Sequence, residues 1–133
     1  MQVGPDGTAY QTTSTYDSST GYTTSVTAIG PDGTTITTGP LPGNPVGAVQ
    51  IAPDGTAYQT TRTGQWSTGF TGSVIVIGSD GTTITTGPLP GDPVGAVQIA
   101  PDGTAYQAVR VAGTTRIVLV GGPDAPSTEP LDV

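Results

Sequence analysis

Short β-rich runs follow one another along this chain, cut at close intervals by glycine and proline. Runs at about residues 48–51, 56–61, 70–77 and 82–86 are rich in Val, Ile, Thr and Tyr and read as strands. Val49, Ile51, Val74, Val76, Ile75, Ile77 and Ile84 alternate onto the two faces of the sheet those strands would form. Pro53-Asp54-Gly55 separates the first two runs, and Ser79-Asp80-Gly81 the last two. Asp-Gly between β-rich runs is a strong hairpin signal: Gly takes the positive φ of the turn and Asp hydrogen-bonds the local backbone. A looser loop at 63–69 joins the two hairpins, and 87–94 leads into the next strand. The unit is four short antiparallel strands.

That unit repeats. Val49-Gln50-Ile51-Ala52-Pro53-Asp54-Gly55-Thr56-Ala57-Tyr58-Gln59 has counterparts beginning at Met1 and at Val97, an offset of 48 residues each time. Residues 33–59 and 81–107 are identical except that Asn44 becomes Asp92. A period in this range marks a repeat architecture. The third copy departs from the others: its middle loop is shorter, its turn is degraded to Pro123-Asp124-Ala125, and Pro126 and Pro130 deny its last strand ladder hydrogen bonds. It reads as a frayed edge or tail that ends the array.

Composition supports an all-β reading and narrows the partners. Thr (26) and Gly (21) dominate the 133 residues, and helix formers are too sparse for helices of any length. The only cations are Arg62, Arg110 and Arg116, and ten acids bring the net charge to −7. An acidic chain without a basic cluster disfavours nucleic acid and anionic membrane. There is no Cys, and no apolar run approaches a membrane span. The N-terminus has no signal-peptide pattern and starts in mid-repeat, which suggests an excised or engineered segment. The compartment stays open, a secreted parent included.

Four antiparallel strands in a repeat of about this length describe a β-propeller blade. Gly47-Ala48-Val49-Gln50-Ile51-Ala52-Pro53-Asp54-Gly55-Thr56-Ala57-Tyr58 resembles the innermost hairpin of NHL-like six-bladed propellers, and the blade pattern covers essentially the whole chain. The low charge and near-identical copies are also similar to recently amplified propeller repeats of large actinobacterial proteins. The resemblance implies a single repeat domain over 1–133, with blade one at about 1–45, blade two at about 46–93 and blade three at about 94–133. Strand one would line a central channel, and Gln2, Gln50 and Gln98 would make it polar. A β-solenoid or an elongated chain of hairpins is the alternative, and the solenoid is disfavoured because the two halves of each repeat differ.

Three blades make an open arc with a bare apolar face at each end, where propellers typically have four to eight blades. Head-to-tail association would cover both faces and complete a ring. A homodimer with six blades is preferred, and a homotrimer with nine comes next.

Candidate chemistry is thin. Six of the ten acids sit in the tight turns, one carboxylate each, too few for Ca²⁺. No metal site and no cofactor is expected. Without His, Lys or Cys, the usual relays and nucleophiles are missing, so the chain is not read as an enzyme. In an up-and-down meander the Asp-Gly turns share one face of the disc. The opposite loop face carries the larger side chains: Tyr16, Asp17 and Tyr22, then Arg62, Trp66 and Phe70, then Arg110. Tyr16, Asp17, Arg62, Trp66 and Arg110 form the candidate ligand face, with a sugar or a peptide as the class of ligand. For Phe70 packing between blades is preferred, and for Trp66 both readings stand. Tyr10, Tyr58 and Tyr106, equivalent residues of strand two, read as structural. The expected role is a self-assembling structural or interaction scaffold. The alternatives are a lectin-like or peptide-binding module and a propeller fragment without a function of its own.

Overall fold

In the computed structural model, residues 2–5, 7–19, 21–65, 69–78, 83–86, 89, 91–121 and 131–132 are described. These residues form strands and turns and no helix. Three antiparallel sheets follow one another along the chain. The first holds β1 (Gln2–Val3), β2 (Ala9–Asp17), β3 (Gly21–Ile29) and β4 (Thr35–Pro42) in that order. The second holds β5 (Asn44–Ile51), β6 (Ala57–Gln65), β7 (Gly69–Ile77) and β8 (Thr83–Thr86). The third holds β10 (Gln98–Ile99), β11 (Ala105–Val111), β12 (Thr114–Gly121) and β13 (Leu131–Asp132), with β9 (Asp92–Pro93) also paired to β11.

The turns explain why neighbouring strands pair in these registers. In Gly30-Pro31-Asp32-Gly33-Thr34, Gly33 N donates to Gly30 O at 2.9 Å and Gly30 N to Thr34 O at 2.8 Å. The same two bonds close the turns at Ala52 and Ala100. Pro occupies the first central position of a four-residue turn, and Gly33, Gly55 and Gly103 follow it with φ near +90°. This is the three-residue hairpin loop, a type I turn closed by a left-handed glycine. The carboxylates of Asp32, Asp54 and Asp102 accept from the amides of Thr34, Thr56 and Thr104, each at 3.0 Å. Asp6, Asp80 and the Pro123-Asp124-Ala125 turn lie outside the described residues.

The first strand of the second repeat is longer than the sequence pattern predicts. β5 starts at Asn44 and pairs with β6 twice, as Asn44–Val46 against residues 60–62 and as Gln50–Ile51 against 57–58, around an irregular stretch. β9 and β10 are the same two pieces in the third sheet, facing Val109–Arg110 and Ala105–Tyr106. Asn44 and Asp92 therefore lie in strands, and not in a connecting loop as the sequence suggests. The prolines that argue against a strand here sit on an edge, where a missing N–H leaves no ladder bond unmade. Only Gly43 separates β4 from β5. It has φ +114°, and a Cβ there would fall 2.9 Å from Thr61 Cβ. The chain crosses from one sheet to the next where only glycine fits.

The sheets pack face to face. Tyr10 and Val26 of the first sheet share one buried cluster with Val49, Ala57, Ile75 and Ile77 of the second. Tyr58 and Val74 of the second share another with Val97, Ala105, Val109, Val118 and Val120 of the third. Along β7 the even residues thus turn to one neighbour and the odd residues to the other, as alternation dictates. Ile84, on the outermost strand, belongs to neither cluster and is 40% exposed.

Candidate functional site

Burial along the second strand of each sheet shows which faces are open. In β6, residues 57–61 are all buried. In β2, Tyr10 is buried and Thr12 half-buried, while Gln11 and Thr13 are exposed. In β11 the phase is opposite: Ala105, Gln107 and Val109 are buried, while Tyr106 and Ala108 are half-buried and Arg110 is exposed. The middle sheet is covered on both sides. The outer sheets are covered on one side each, and their outward faces are the repeat equivalents of faces buried inside the stack.

Two polar bridges cross the buried joints. Thr12 Oγ1 donates to Gln59 Oε1 at 2.6 Å, and Thr60 Oγ1 to Gln107 Oε1 at 2.5 Å. The Gln59 amide donates to Gly47 O (3.2 Å) and Thr60 O (2.9 Å), and the Gln107 amide to Gly95 O (3.1 Å) and Ala108 O (2.9 Å). Both glutamines are wholly buried and hydrogen-bonded at both ends of the amide. The hydropathy pattern misses them, because it reads a polar residue in a strand as facing water. The recurring Tyr-Gln in a strand too crowded to have a wet face is the signal that could have found them.

The loop end of the sheets holds the residues expected to form a ligand face. Tyr16, next to the end of β2, packs on Tyr22, ring centroids 4.9 Å apart and planes tilted by 55°. Both rings are largely exposed, Tyr16 at 65%. Beside them Asp17 Oδ1 accepts from Ser19 N and Ser19 Oγ, which lowers its pKa. In the second sheet the Arg62 guanidinium lies 4.7 Å from the centre of Phe70, the position equivalent to Tyr22. Arg62 Nη1 also lies 3.7 Å from Asp92 Oδ1, with both side chains more than a third exposed, so this pair adds little stability. That Asp92 oxygen is itself turned inward with no hydrogen-bond partner among the described residues. Arg110 is the in-register partner of Asp92. Tyr16 and Asp17 thus stand together in the first sheet, and Arg62 and Arg110 flank Asp92 at the second and third. Trp66 lies outside the described residues.

Two further features bear on chemistry. An open cleft of about 400 Å³ runs between the first two sheets, lined by Gln2, Tyr10, Gln11, Pro45 and Gly47 among others. Its described lining holds no ionisable group apart from the Tyr10 phenol. Burial first, and then the charge of Asp54, raises the pKa of Tyr58, so this buried phenol stays neutral. Among the described residues no three acids gather at one place. No protein family, no curated protein and no solved structure matches the chain.

Proposed function

We propose that the chain is a non-catalytic β-propeller repeat module that self-assembles into a closed ring and serves as a structural or interaction scaffold. The observation that carries this reading is the burial phase of the three equivalent strands, covered on one side in β2 and β11 and on both sides in β6. Each outward face repeats the positions of a face that packs inside the stack, so one copy offers both halves of a further joint. Exposed apolar side chains on those faces, Val3 (64%) and Ile117 (41%), favour covering them. A two-copy ring is preferred to a three-copy ring, on the resemblance of the hairpin to six-bladed propellers. The mass in solution tests the proposal: twice or three times 13.2 kDa supports a ring.

The exposed Tyr16–Tyr22 pair favours a second reading, a ligand-binding face for a glycan or a peptide. Trp66, the sole tryptophan, offers its own reporter. A shift of its emission on titration with one member of a broad glycan and peptide panel supports that reading, and no shift across the panel leaves the scaffold alone.

A further inference from the structure

We infer that the outward face of the first sheet around Gln11 is the docking site for the third sheet of a second copy, and that Ala108 makes this joint weaker than the two within the chain. The inference rests on the self-assembly reading and adds which residues meet. Both internal joints use the same bridge, a Thr hydroxyl two residues after the strand tyrosine donating to the Gln of the next sheet. Carried one step further, the donor position is residue 108 and the acceptor is Gln11 of the neighbouring copy. Tyr106 stands where Tyr10 and Tyr58 stand, and Ile117, paired with Ala108, stands where Val26 and Val74 stand opposite Thr12 and Thr60. The third sheet therefore keeps the tyrosine and the β-branched residue of a donor face without its hydroxyl, and among the described residues it has no counterpart of Leu41 and Leu89, which pack at the two internal joints.

Charge fits a second copy as well. The face of β2 carries Ala9, Gln11 and Thr13 before Asp17 at its loop end, and the face of β11 carries Tyr106 and Ala108 before Arg110 at its own. Two acidic chains can meet there without opposing carboxylates, and with Arg110 and Asp17 at the same end of the joint. Docking leaves Gln11 Oε1 without the hydroxyl that Gln59 and Gln107 receive, and a buried acceptor without its donor weakens the contact.

The test is Ala108→Thr in the full chain, with association measured by sedimentation equilibrium. Restoring one bridge is expected to tighten each joint about threefold to tenfold. Gln11→Ala added to it is expected to abolish the gain, and Gln11→Ala alone to change association less than about twofold. If Ala108→Thr loses the β-sheet circular dichroism of the parent, Ala108→Ser supplies the hydroxyl instead. A gain that survives Gln11→Ala overturns the assignment. So does an oligomer that the hydroxyl leaves unchanged, in which case self-assembly itself stands. A chain that stays monomeric with and without the hydroxyl overturns both.

Discussion

Gln59 shows how much rests on single side chains in so small a core. It is wholly buried, and its amide is satisfied by Thr12, Gly47 and Thr60. Gln59→Ala deprives one hydroxyl and two carbonyls of their amide partner and opens a cavity, so it is expected to destabilise the fold by about 2–4 kcal/mol. Gln11→Ala, at the exposed equivalent position, is expected to cost less than about 0.5 kcal/mol. Chemical denaturation of the two variants checks the contrast, and equal losses would mean that the bridge is not structural. The turn carboxylates set the pH response. Side-chain and backbone hydrogen bonds from Thr34 lower the pKa of Asp32 below 3.8, and backbone and side-chain bonds from Thr104 do the same for Asp102. A depressed carboxylate contributes stability that is complete above its unfolded value and is lost as pH falls through the folded one. Melting temperatures are thus expected to hold steady from neutral pH down to about 5 and to fall below about 4. A melting temperature that rises on acidification below about 4 would mean that relief of the net charge outweighs these turns.

At the scale of the elements, the hairpins were legible in the sequence and the crossings between sheets were not. Asp-Gly turns announce themselves, because only glycine takes their positive φ at no cost. The start of β5 is hidden for the opposite reason: Pro45 and Gly47 argue against a strand when read locally, and an edge position with an irregular stretch tolerates both. The alternation of Val74 and Val76 against Ile75 and Ile77 was also legible, since it needs only the period of a strand. The loop-end meeting of Arg62 and Phe70 with Asp92 was not, because Asp92 joins the third sheet while Arg62 and Phe70 belong to the second, and the sequence does not reveal which sheet takes Asp92. Gly43 tests the crossing. Gly43→Ala combines φ +114° with a Cβ 2.9 Å from Thr61, so a loss of about 2–3 kcal/mol is expected. Gly33→Ala has φ +88° and open space around its Cβ, so about 1 kcal/mol is expected. Thermal melts that rank the two variants the other way would contradict the crossing geometry.

For the whole molecule, the near-identical copies determine the problem that the chain must solve. A repeat that buries both faces in the middle of the array leaves one face over at each end, and each leftover face repeats the positions of a face that packs inside the stack. The chain carries −7, so a joint with a like-charged second copy must be largely uncharged, as the strand positions around Gln11 and Ala108 are. Repulsion between the copies is expected to fall as salt screens it, so association strengthens between about 0.01 and 0.15 M salt. The measurement that bears most directly on the central claim is native mass spectrometry of the intact chain, supported by light scattering on a sizing column. A ring gives a closed species at twice the 13.2 kDa chain mass, with three times that mass as the other ring. A stable, folded monomer at concentrations of tens of micromolar (on the order of the affinities of weak specific interfaces) would contradict it.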